Sequence, residues 1–171
     1  MKENNWIYKV FLLTFLLSII FSTITNLIAY NSNSIIIFVI IVLIIAIAIV
    51  FDMIATSSLT SDLARFHAMS AMRIKGAKET VQLIKNNVKV VSICSDVIGD
   101  ILGIASGGLG AVFAIYLANT TSYSLTAVSV IVAGFISAFT VGGKAIFKVI
   151  AIKNSNQIIF LVGKFVRYFK W

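Results

Sequence analysis

The chain has 171 residues, of which 60% are hydrophobic and 12% charged, with a formal net charge of +8 at pH 7. That composition, with a mean hydropathy of +1.04, excludes an ordinary water-soluble domain, in which about a quarter of the residues are charged. It identifies an integral membrane protein built as one membrane domain. A basic excess also suits nucleic acid, but these cations sit at the ends of apolar runs rather than along a groove with stacking aromatics, so no nucleic-acid partner is expected.

Met1 to Lys9 forms a short polar and basic leader, with Trp6 and Tyr8 suited to the membrane interface. Val10 to Tyr30 reads as a first span. It is longer than a signal-peptide core and ends in no small-x-small cleavage site, so it is expected to be retained, with its N-terminus inside. Asn31 to Ser34 is an uncharged polar turn, and residues 1–34 are read as leader, additional transmembrane helix and external turn. Ile35 to Phe51 is a second span, almost all Ile, Val, Leu and Ala, and Asp52 ends it at the inner face.

Residues 55–89 change character, with six cations against Asp62 and Glu79. Leu59, Leu63, Phe66, Met69 and Met72 recur at threes and fours, the spacing of an amphipathic helix. Gly76 breaks it, and Val81, Ile84 and Val88 continue the stripe. Two short helices lying on the cytoplasmic surface are predicted. His67 has no neighbouring ligand pattern and reads as a surface or packing residue.

The third span covers about Val90 to Ala118 and contains SICSDVIGDILGIASGGLGA. Asp96 and Asp100 lie four apart and share a helical face, while Gly99, Gly103, Gly107 and Ala111 make a second, nearly smooth one. Asn119 to Ser124 is another uncharged turn, and Leu125 to Gly143 is a fourth span with Gly134, Ala138 and Gly142 at the same spacing. The two small-residue faces are predicted to pack on each other, with a dimer interface as the other use. Lys144, Lys148 and Lys153 mark the return to the cytoplasm.

From Ser155 to Trp171 the chain is amphipathic, with Lys164, Arg167 and Lys170 spaced by three opposite Ile158, Leu161, Val162, Phe165 and Phe169. Tyr168 and Trp171 suit the headgroup level, and an interfacial helix is predicted rather than a fifth span. All 14 Lys and Arg fall on the N-terminal tail, the central loop or the C-terminal segment. The expected fold is therefore an all-α membrane protein with four transmembrane helices, juxtamembrane amphipathic helices and a C-terminal interfacial helix, multi-pass in the plasma membrane with both termini cytoplasmic. The single cysteine, Cys94, permits no intramolecular disulfide and reads as a packing residue, and the absence of proline excludes proline kinks.

Ionisable groups at the edge of apolar spans are the candidate site. Asp52, Asp96 and Asp100 offer the hard oxygen ligands that a divalent cation such as Mg2+ prefers. Lys144 either opposes such an ion or pairs with Asp96 or Asp100 as a structural tie between the third and fourth spans. A third reading leaves the carboxylates solvated at headgroup level. No phosphate loop in a strand–helix setting and no Ser–His–Asp set is present, so an enzyme is not expected.

Three stretches resemble the transmembrane domain of the CorB/CorC and CNNM family of magnesium-transport proteins over residues 35–171. FDMIATSSLTSDLARFHAMSAMRIKGAKETVQLIKN is similar to the family's Phe-x-Ser-x-x-Glu segment and following basic helix. SDVIGDILGIASGGLGA is similar to its Gly- and Asn-containing span, and GKAIFKVIAIKNSNQI to its Gly-Glu-x-x-Pro-Lys-x-x-Ala-x-x-Asn-Pro-Glu. The resemblance implies Mg2+ as the bound or transported ion, a homodimer, and an ion among polar groups of the spans. Asp52 stands at the family's serine position, Asp96 and Asp100 in its asparagine region, Lys144 at its glutamate and Phe147 at its proline. No stretch here resembles the family's cytosolic CBS pair. The alternative expectation is a non-transporting scaffold, accessory or immunity-type protein that keeps the fold and serves a membrane or cytosolic partner.

Overall fold

Within a bilayer core every backbone N–H and C=O must be bonded inside the chain, which leaves apolar runs of this length one open course, the helix. A computed structural model describes residues 2–30 and 32–169, and the described residues contain helices and no strand. The helices are α1 (Lys2–Tyr30), α2 (Ser34–Thr60), α3 (Leu63–Ala71), α4 (Ala77–Lys85), α5 (Asn87–Val91), a π-helix (Ser92–Gly99), α6 (Asp100–Thr120), α7 (Leu125–Lys153) and α8 (Ser155–Phe169). Four stretches are long and apolar enough to cross a membrane: Val10–Ala29, Ser34–Thr60, Asn87–Thr120 and Leu125–Lys153. The four-span, all-α architecture is thus as expected.

Helix lengths differ from the expectation. The polar leader is itself helical from Lys2, and α2 continues nine residues beyond Phe51 to Thr60. At 1.5 Å per residue, the 27 residues of α2 reach about 40 Å, against a hydrocarbon thickness of about 30 Å. Likewise α7 does not stop at Gly143 but runs on through Lys144 and Lys148 to Lys153. Asn31, Lys170 and Trp171 lie outside the described residues, as do the side chains of Trp6 and Phe169.

The chain divides into two compact units, one of Met1–Ala48 with Val97–Gly143, the other of Ile49–Asp96 with Lys144–Trp171. In the first, α1 packs along α6. Its interior is made of Ala29, Ile37, Ile41, Ile101, Leu102, Ala105, Leu109 and Ala114, all nearly inaccessible. Phe38 meets Phe113 with ring centroids 5.9 Å apart, and the Tyr116 hydroxyl donates to the Ser32 carbonyl at 3.3 Å.

The second unit holds 12 of the 14 Lys and Arg. Its core joins α3, α4 and α8 through Phe66, Val81, Ile84 and Ile159, and Phe66 stacks on Phe160 with centroids 5.9 Å apart. Asp62 caps α3 by accepting from the Ala64 N–H at 2.9 Å and the Arg65 N–H at 3.4 Å, while its own N–H donates to Asn156 Oδ1 at 2.9 Å. Buried Ser57 donates to the Ala151 carbonyl at 3.5 Å, and Ser155 donates to the Thr60 carbonyl at 3.4 Å. These bonds join residues 94 and 95 positions apart in sequence and tie the end of α7 and the start of α8 to the end of α2.

The predicted amphipathic stripe is corrected here. Phe66, Val81 and Ile84 are buried, but Leu59, Met72 and Val88 are 55%, 73% and 76% exposed. The stripe is broken at the α3–α4 turn, where Arg73 (φ 55°) and Gly76 (φ 92°) both take left-handed backbone and redirect the chain. The apolar faces of α3 and α4 therefore close on α8. On α8 the buried positions are Ser155, Ile159 and Gly163, one turn apart, while Leu161 and Phe165 face outward.

Candidate functional site

Asp52 lies on α2 and is half-buried. Its partner is one that spacing rules do not reveal: Ser95 Oγ donates to Asp52 Oδ1 at 2.8 Å across 43 residues of chain. A hydroxyl on a carboxylate in a partly desolvated site is worth about 1.5–3 kcal/mol net. Ser95 is presented by the π-helix Ser92–Gly99. Its i→i+5 bonding is rare, places more residues in each turn than an α-helix, and is frequent at functional sites.

The π-turns also alter where the other carboxylates go. Asp96 follows Ser95 directly, so its side chain leaves the helix in another direction; it is exposed. Asp100 is the first residue of α6 and is exposed too. Among the described residues, no group of three or more His, Cys, Asp and Glu gathers in a metal-holding arrangement. What the structure brings together is Asp52 with Ser95. Lys144 is half-buried on α7, and among the described residues no ion pair joins it to Asp96.

The small-residue faces behave differently from the prediction. Gly99 is buried, but Gly103 and Gly107 on α6 and Gly134 and Gly142 on α7 have open space where a side chain would stand. The close approach of α6 and α7 occurs at Gly110, whose Cβ would overlap Ile136 and touch Val132. The reason is rotational: Val132 and Ile136 are one turn apart and share a face, whereas Gly134 lies about 200° round the helix from Val132. Beside this contact runs a groove of about 360 Å3 lined by Gly103, Ser106, Gly107, Ser129, Ala133 and Ser137, among others. The four-residue glycine spacing correctly marked a face without bulk, and misassigned its occupant within the chain.

Ser95 and Asn156 are the polar residues that sequence reasoning missed. Ser95 is one of three serines in the third span, and nothing in its neighbours sets it apart; Asn156 lies in a segment legible only as amphipathic. No family model matches the chain, and no curated protein or solved structure matches it.

Proposed function

We propose that the chain is a divalent-cation membrane protein of the CorB/CNNM kind, carrying Mg2+ as its cargo past Asp52. The observation that carries the reading is the Asp52–Ser95 pair, a half-buried carboxylate beside a hydroxyl on a π-helical turn. Both are hard oxygen donors, and Mg2+ is usually held by one or two carboxylates while it keeps several waters, so a three-carboxylate cage is not required. Asp96, exposed on the same π-helix as Ser95, adds negative charge that concentrates cations. The resemblance in the three quoted stretches supports the same ion, and a homodimer formed through the open Gly103–Gly107 face of α6.

The placement of the cations supports both termini inside at the plasma membrane. Single cysteines at Ser32 and Thr121 should label from outside, and one at Lys78 only after permeabilisation; the reverse pattern would overturn the orientation.

A second reading, a non-transporting scaffold, is favoured by the same bond taken as a tie between helices that needs no ion. Thermal-shift titration with Mg2+ separates the two. Under the cation reading, the wild type gains about 2.7 kcal/mol at a hundred-fold excess over Kd, and Asp52→Asn loses that gain while Ser95→Ala keeps most of it. Under the scaffold reading both variants lower the baseline stability and Mg2+ shifts neither them nor the wild type.

A further inference from the structure

We propose that the α3–α4 turn and α8 together bind the phosphate-bearing headgroup of an anionic phospholipid, through Lys75, Lys164 and Arg167 with Tyr168 at the rim. These four are the described residues that line a groove of about 700 Å3, and none of the four is acidic. Lys164 and Arg167 are three apart on α8 and are neighbours on its surface. Lys75 arrives from a different element, the residue before Gly76. Three like charges brought into one groove repel one another unless an anion lies between them.

The convergence is imposed by the backbone. At Gly76 a Cβ would come within 2.8 Å of Lys164 Cγ and 3.1 Å of the Lys164 backbone N, and at Gly163 it would meet Thr80 Oγ1 and lie 2.9 Å from the Gly76 carbonyl oxygen. Turn and helix thus touch where neither has a side chain, which sets Lys75 beside α8. The Lys164 ammonium lies 4.5 Å from the centroid of the Phe160 ring, itself stacked on buried Phe66, so the lysine is oriented as well as placed.

The form of α8 identifies a lipid as the source of the anion. Leu161, Phe165 and Tyr168 recur at four and three residues and are 65%, 65% and 87% exposed, away from the buried Ser155–Ile159–Gly163 face. A helix with cations flanking an outward apolar stripe lies in the membrane interface, with its apolar side chains among acyl chains and its cations at phosphate depth. A soluble anion has no use for that stripe. The inference rests on the membrane character of the chain and is independent of any cation site at Asp52.

The test uses the full-length protein in neutral detergent, with bound lipid counted by native mass spectrometry against dioleoylphosphatidylglycerol and dioleoylphosphatidylcholine. At about five-fold in affinity per cation near an anionic surface, the wild type should prefer the anionic lipid by at least about ten-fold. K75Q/K164Q/R167Q should abolish that preference, and R65Q/K78Q/K85Q, which removes equal charge outside the groove, should retain it. K75Q alone, a change on an exposed turn, should reduce the preference roughly five-fold and decides the matter if the triple variant does not fold. Millimolar inorganic phosphate should leave the lipid bound. Equal binding of the two lipids by the wild type, an unchanged preference in K75Q, equal loss in the control variant, or displacement of the lipid by inorganic phosphate would each overturn the proposal.

Discussion

The two units of this chain meet the same demand, burial of apolar surface, by opposite means. In the unit of Met1–Ala48 and Val97–Gly143, large side chains such as Phe11, Phe135 and Phe139 point outward at 72%, 62% and 67% exposure, while alanines at 29, 48, 105 and 114 are buried. Lipid is as apolar as leucine, so little drives large side chains inward, and helices approach where residues are small. In the α3–α4–α8 core of the unit of Ile49–Asp96 and Lys144–Trp171, Phe66 and Ile159 are buried beneath a cation-rich exterior, the arrangement of a protein in water. Phenylalanine therefore carries opposite structural meaning at Phe139 on α7 and at Phe66 in the α3–α4–α8 core.

Substitutions that are alike on paper should consequently differ between the units. The largest effect is expected for Phe66→Ala, which empties the centre of the α3–α4–α8 core and should cost about 3–5 kcal/mol in chemical unfolding; Phe139→Ala, on the outward face of α7, should cost well under a quarter of that. Comparable losses in the two variants would erase the distinction.

Next is Gly163→Leu, which must displace Thr80 and the Gly76 carbonyl and should destabilise by about 1–3 kcal/mol or more through overpacking. Gly103→Leu places the same side chain in open space, and the melting temperature of the monomer should be nearly unchanged. Loss of a dimer in Gly103→Leu, measured by light scattering in detergent, would locate the partner on that face. A monomer that fails to fold in Gly103→Leu would contradict the open groove.

The smallest of these effects is Asp62→Ala. It removes the cap of α3 and should cost about 1 kcal/mol, with Asp62→Asn close to wild type because an amide oxygen still accepts from Ala64 and Arg65. Thermal melts of the two variants check this, and equal losses would assign the effect to charge.

Four spans, their turns and the helical character of the tail were legible because length and charge placement alone decide them. What escaped was rotation. Gly134 and Gly142 have the right spacing, yet the side of α7 that meets α6 is set by Val132 and Ile136 closing on Gly110. Met72 and Val88 continue a sound helical period, but Arg73 and Gly76 turn the backbone between them and the period does not survive the turn. Asp96 and Asp100 were expected to act together by an α-helical rule, and the segment containing Asp96 is π-helical. Asp52 was legible as a costly residue at the end of a span; its partner was not, because a hydrogen bond over 43 residues leaves no local pattern.

The central claim, that Asp52 serves a divalent cation, is tested most directly by Mg2+ entry into proteoliposomes loaded with a Mg2+-sensitive dye. The wild type should admit Mg2+ down an imposed gradient. Asp52→Asn, which keeps an oxygen for Ser95 and removes the charge, should reduce the rate at least about ten-fold at unchanged protein content and melting temperature. Wild-type vesicles no more permeable than empty ones, or an Asp52→Asn rate equal to wild type, would contradict it.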